Sequence, residues 1–488
     1  MMKTQLDHGG IAGTDIGGAG TLFGCLLIAL LLCIVQISGS KMLIAACLAA
    51  FLAFHFWSCF QNDAMCVLLF FLPWSPLLRT DRGSISFFTI ALLVTCLYYW
   101  QRDGFRLALY QFLVTAFLAV TTLIAKAIRS NPIENHYLFF FMMLLLFPCV
   151  AKGLSGAVSF SRLTLFFACG IIMAALSARQ IAAYPNISQY IKVDSYLKIT
   201  RLSGYYRDPN FYCAHITACL AGVQLLMSRE RRRGRQIIWI GVMTVLVYCG
   251  LLSASKSFVV VLACLFLVWV PVLLTGGHVK RGIVILAGVA CAAAVMLLSA
   301  AVQDLLRVVM SRFSYAANVS DLTTHRSEIW RMYLHDLSYD PVLMLLGSGF
   351  TSVTLGTKAS HNTIIQGVFQ FGLIGLPVLC AWLVMTLKRT SGRSGCRRNA
   401  FLLMCVGVVL PWMALDILFF DEFFLLPVYA VIGAVYAAPG NEQGGRKCRA
   451  RCGKDEVNVC RLFMNCPGYG RCWASRSRQQ RSAWPPPR

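Results

Sequence analysis

Apolar runs long enough to cross a lipid bilayer recur from residue 22 to residue 438 of this 488-residue chain. A helical crossing takes about 20 residues. Inside hydrocarbon every backbone N–H and C=O must be satisfied within the protein, which leaves helices as the way to use so many such runs. Window hydropathy places candidate spans near 22–38, 42–60, 64–78, 85–100, 106–128, 136–151, 163–183, 209–227, 236–252, 257–275, 282–301, 361–387, 399–419 and 423–438. Two are short enough to merge or to lie in the interface, so the expected fold is an all-α polytopic membrane protein with about 12–14 transmembrane helices. Only 13% of residues are charged, against about 25% in soluble domains. That excludes a water-soluble globule of this length.

The net charge of +24 is read as a topology signal rather than a nucleic-acid footprint, because Lys and Arg collect in short cytoplasmic loops. Arg229–Arg235 holds five Arg, and Lys388–Arg398 holds five basic residues. Lys280-Arg281, the loops near Arg102 and Arg162, and the tail after residue 440 fall in the same alternation. One orientation satisfies all of them, with both termini cytoplasmic. Residues 1–20 are polar and Gly-rich without a basic n-region, so no cleavable signal is expected and the first run is expected to act as an anchor. Most of the 21 cysteines lie singly in apolar runs, where they serve as small apolar side chains. The rest, Cys448 to Cys472, sit in a basic tail without the paired C-x-x-C knuckles of a zinc site. Three regions result: a cytoplasmic 1–21, a membrane domain 22–438, and a basic tail 439–488 without a packed core.

This orientation leaves two substantial outer segments, roughly 184–208 and 302–360. The longer one mixes five basic with five acidic residues and carries apolar residues at helical spacing. It is expected to fold as short amphipathic helices at the surface. The shorter one keeps Lys192, Lys198, Arg201 and Arg207 against the usual depletion of outer basic residues. In Arg201-Leu-Ser-Gly-Tyr-Tyr-Arg-Asp-Pro-Asn210, Asp208 suits an N-cap and Pro209 the first helical position. A positive helix end beside two guanidinium groups suits a phosphate or diphosphate. Next comes Ser253-Ala-Ser-Lys-Ser257, a turn between two spans with Lys256 at the boundary. The long loop then places Arg326 and Trp330 at i, i+4 on one helix face, where the indole can stack on a sugar. Finally Ser360-His-Asn opens a span. There Ser360 is expected to cap the helix and His361 to sit in its first turn. A neutral imidazole at that boundary can take a hydroxyl proton. His325 and His335 read as surface residues.

In order along the chain, R-x-x-G-x-x-x-D-P-N, S-x-S-K, a long outer loop with R-x-x-x-W and G-x-G, and an H-N-led span with G-L-I-G resemble the O-antigen ligase/polymerase superfamily. The resemblance covers roughly residues 64–430. It implies a bacterial inner-membrane glycosyltransferase with its active site on the outer face and no metal or other cofactor. The implied donor is a glycan on undecaprenyl diphosphate and the implied acceptor a second glycan hydroxyl. On this resemblance His361 is the catalytic histidine, and Arg201 and Arg326 contact the diphosphate. Arg207, Asn210, Lys256 and Trp330 fall in or beside its motifs as substrate-binding residues. The pathway partners it implies are a flippase and a chain-length regulator. A polymerase is preferred over a ligase acting on lipid A-core. A lipid-linked-oligosaccharide carrier would instead place charges at mid-membrane depth. A scaffold that binds the glycan without chemistry would not need His361.

Overall fold

A computed structural model describes residues 14–81, 84–103, 107–130, 135–191, 194–196, 199–275, 279–314, 323, 325–349, 359–391, 397–418 and 420–437. The tail and the candidate binding residues Lys192 and Lys198 lie outside them. The helices are α1 (Thr14–Ser38), α2 (Lys41–Phe60), α3 (Ala64–Phe71), α4 (Phe87–Asp103), α5 (Leu109–Arg129), α6 (Asn135–Ala157) and α7 (Phe160–Ile181). They continue as α8 (Pro209–Arg229), α9 (Arg233–Leu252), α10 (Lys256–Leu274), α11 (Val279–Leu297) and α12 (Ala300–Ser314). The last are α13 (Arg326–Tyr339), α14 (Pro341–Leu346), α15 (Thr363–Ser391), α16 (Arg398–Val409) and α17 (Glu422–Tyr436). One small hairpin, β1 (Asp194–Tyr196) with β2 (Ile199–Arg201), sets Asp194 opposite Arg201. Among the described residues nine helices (α1, α2, α5, α7 to α11 and α15) are long and apolar enough to cross a membrane. Shorter apolar helices occupy Ala64–Leu77, Leu138–Cys149, Arg398–Ala414 and Glu422–Tyr436. Apart from that hairpin, the described residues form a helical, multi-pass membrane architecture. The long segment expected to fold carries α12, α13 and α14.

Hydropathy alone does not separate a helix that faces lipid from one that faces protein, but polar side chains do, since in hydrocarbon they need an internal partner. α8 carries His215, Thr217 and Gln224, and every side chain from Phe211 to Met227 is buried. α7, α9, α10, α16 and α17 pack around it. Thr217 donates to the Gly407 carbonyl on α16 at 2.9 Å. Trp269 on α10 donates to the Gln224 carbonyl at 2.8 Å. α11 has no polar side chain along its apolar stretch and buries only Gly282 and Ile285.

The deepest ionisable contact joins α8 to α17, where His215 Nε2 lies 2.9 Å from Glu422 Oε1 and both side chains are essentially inaccessible. Removing one partner of a buried pair strands the other. His215→Ala is accordingly expected to destabilise the bundle by about 3–5 kcal/mol, and a double leucine replacement of both residues by much less. Thermal unfolding in one detergent checks this, and equal losses in the two variants would contradict it.

Contacts between connecting segments sort them into two ends of the bundle. At one end Asn186 reaches the Ile37 carbonyl at 2.9 Å, Gln36 the Leu77 carbonyl at 2.9 Å, and Thr89 the Asp421 carboxylate at 2.9 Å. At the other, Arg102 meets Asn62 at 2.6 Å, Arg162 meets Asp63 at 2.6 Å, and Arg389 meets Gln111 at 2.7 Å. Arg281 bonds the Ser228 carbonyl there as well. The basic cluster at Arg229–Arg235, and Lys388, Arg389, Arg397 and Arg398, fall at this second end. All the candidate site motifs fall at the first.

Candidate active site

The site is built around the turn that opens α15. Asn362 caps that helix, its Oδ1 accepting from Ile364 N at 3.0 Å and Ile365 N at 3.3 Å. Ser360, expected to be the cap, has its hydroxyl engaged by the Asp416 carboxylate. Asp416 also accepts from the His361 backbone N–H at 2.8 Å. So His361 does not stand in the first helical turn. It precedes the helix with φ +47°, a left-handed conformation costing a residue with a Cβ about 1–3 kcal/mol. Its side chain is 36% exposed, and Nδ1 lies 4.0 Å from Asp416 Oδ2. That is too long for a hydrogen bond.

The amphipathic α13 packs on this turn. Ile329, Tyr333 and Leu337 face inward and join Leu343 and Phe369 in a small apolar cluster. The i, i+4 pair reads as expected. Arg326 Nη1 donates to the Ala414 carbonyl at 3.0 Å, and Trp330 Nε1 to the Ser360 carbonyl at 3.0 Å. Burial lowers the Arg326 pKa from its ordinary value, while the Asp208 and Asp416 carboxylates push the other way. Those two carboxylates connect the last motif to the first. His325 and His335 are exposed, beside Glu328 and Asp336.

The first motif folds as its residues dictate. Asp208 caps α8, accepting from Asn210 N at 2.8 Å, with Pro209 at the first helical position. Asn210 Oδ1 accepts from the hydroxyls of Ser255 (2.8 Å) and Ser257 (2.9 Å). This explains why the serine turn needs hydroxyls two residues apart. Ser255 in turn caps α10, and Arg201 Nε donates to the Ser253 carbonyl at 3.1 Å. Lys256 Nζ lies 5.8 Å from the centre of the Phe313 ring, within cation–π range. Arg207 is half-buried and has no hydrogen bond or ion pair among the described residues.

Two clusters thus form, one of Arg201, Asn210 and Lys256, the other of Arg326, Trp330 and His361, with Asp208 between them. Six non-glycine residues among those described have positive φ, and four (Arg207, Ala254, His325 and His361) lie in the motif segments. Such strain concentrates where function holds the backbone in place.

Sequence reasoning missed the tie between Asp416 and His361, and it missed Arg312. Asp416 follows a 3-10 turn at the end of α16, and no local pattern ties it to His361. Arg312 on α12 donates to the Ala254 carbonyl in the serine turn. The only sequence signal for it is the basic residue ending an amphipathic stretch. Comparison with known protein families finds no matching family model, and comparison with characterised protein sequences finds no match.

Proposed function

We propose that this chain is a membrane glycosyltransferase that polymerises undecaprenyl-diphosphate-linked oligosaccharide units into a surface polysaccharide, on the outer face of a bacterial inner membrane. The observation that carries the reading is the convergence of His361, Asp416, Arg326 and Trp330 at one end of a membrane bundle. The basic clusters at the opposite end support that outer placement through the positive-inside rule. His361 accepts the proton of an acceptor hydroxyl as its oxygen attacks the anomeric carbon of the donor. The bond from that carbon to the diphosphate breaks, and its electron pair leaves with the diphosphate. One displacement inverts the carbon and needs no second carboxylate as nucleophile. Arg326, Arg201, Arg207 and the N-terminus of α8 stabilise the charge on the leaving group. Asn210 holds the α8 terminus and the Lys256 turn in register, and Trp330 gives a sugar ring a flat apolar face.

One observation favours a carrier as the second reading. The His215–Glu422 pair is an ionisable site inside the bundle, of the kind transporters use. The test is deletion of the chromosomal copy and complementation with wild type. Loss of long polysaccharide chains, with single lipid-linked units accumulating on the outer leaflet, supports the polymerase. Long lipid-linked chains missing from their final acceptor indicate a ligase. Units trapped on the inner leaflet indicate a carrier and contradict the proposal.

A further inference from the structure

α15 is broken inside the bundle. Gly372 has φ +67° and ψ −179° in the middle of an otherwise helical span. Such a break frees backbone groups at membrane depth, where each unsatisfied one costs several kcal/mol. Here the partner is the chain just before α15. Ser348 N donates to the Phe369 carbonyl at 2.7 Å, and Gly349 N to the Gln370 carbonyl at 3.2 Å. The contact is backbone on backbone. A Cβ on Gly372 would stand 2.1 Å from the Leu345 carbonyl oxygen, and one on Gly347 would stand 2.5 Å from that of Gln370.

The depth of this clasp follows from the helices beside it. Asp340 pairs with Arg129 at the last turn of α5. Gly349 packs against Thr122 and the aliphatic stem of Lys126 on the same helix. Arg129 and Thr122 are seven residues apart, so the chain descends by about 10 Å between Asp340 and Gly349. α15 gives the same figure, since Gln370 is seven residues below Thr363, or about 10 Å. The 21 residues of α5 span about 30 Å, the thickness of a hydrocarbon core, so Arg129 marks its boundary.

The exposed residues agree with that depth. α14 turns Val342 and Leu345 outward, and the two helices it packs against expose Ile124 and Ile128 (α5) and Ile364 (α15). Gly347, Ser348 and Gly349, whose backbone is not helical, are buried in protein. Irregular backbone is tolerated at membrane depth only under such cover. On α13, by contrast, Glu328, Arg331, His335 and Ser338 face outward together with Met332, Leu334 and Tyr339, a mixed surface suited to the membrane–water boundary rather than to hydrocarbon.

We propose that Asp340–Gly349 is a re-entrant segment, lodged in the leaflet at the candidate-site end and clasped into the break of α15. The acyl chains of that leaflet lie against Val342 and Leu345, extending the lipid-facing belt of α5. This goes beyond the transfer chemistry and stands whether or not that reading holds.

The test places a fluorescent acridone amino acid at Leu345 in the full-length chain, reconstituted in phosphatidylcholine vesicles. Ile124 serves as the lipid reference and Arg331 as the water reference. Quenching by brominated acyl chains at Leu345 should match that at Ile124, and aqueous iodide should quench Arg331 alone. Should the Leu345 probe prevent reconstitution, Val342 carries the same expectation. Iodide quenching at Leu345 or Val342, with no response to brominated lipid, overturns the proposal.

Discussion

His361→Asn is expected to lower glycan transfer by about 10²–10⁴-fold, the usual worth of a positioned general base. Asparagine is the informative replacement because it tolerates left-handed backbone, and His361 sits at φ +47°. The turn held by Asp416 is then preserved, and the loss reports on the imidazole rather than on the fold. Asp416→Asn removes the charge and keeps one acceptor oxygen, enough for the His361 N–H, while its NH2 group donates to the Ser360 hydroxyl in place of the lost second oxygen. It is expected to cost less than His361→Asn. The readout is chain elongation per mole of protein at matched membrane levels. Transfer by His361→Asn at the wild-type rate would remove His361 from the chemistry.

Arg326→Ala is expected to reduce the transfer rate by about 10²–10³-fold, the range seen when one donor to a developing negative charge is lost. The fall should lie mainly in kcat, because the diphosphate gains charge only as the sugar leaves. Arg326→Lys should recover little, because the guanidinium divides its donors between the Ala414 carbonyl and the site, which a single ammonium does not do equally. Arg331→Ala, exposed on the same helix, is the control and should act like wild type. A loss confined to KM would assign Arg326 to ground-state binding instead.

The parts of this molecule legible in its sequence are those carried by local chemistry. Asp208-Pro209 marks a cap and a first helical position without reference to anything distant, and α8 begins there. The i, i+4 spacing of Arg326 and Trp330 fixes a common face before any neighbour is known. The capping of α15 was not legible in the same way. Ser360 and Asn362 are both good caps, and the choice falls to Asn362 only because Asp416, over fifty residues later, takes the Ser360 hydroxyl. The His215–Glu422 pair is hidden likewise, its members 207 residues apart inside runs that window hydropathy averages away. The break at Gly372 sits in an apolar stretch whose glycine reads as one tolerated in a span, and its partner is the G-x-G of a different segment. Hydropathy windows also count shorter helices as spans. α16, for example, is 12 residues long before it tightens into a 3-10 turn.

Whether this chain alone polymerises lipid-linked glycan is measured with the purified full-length protein in vesicles, supplied with a labelled oligosaccharide on undecaprenyl diphosphate and no other protein. Lipid-linked chains of increasing length are expected, together with stoichiometric release of undecaprenyl diphosphate, both greatly reduced in His361→Asn. Movement of the labelled lipid between leaflets without elongation or release would contradict the proposed polymerase.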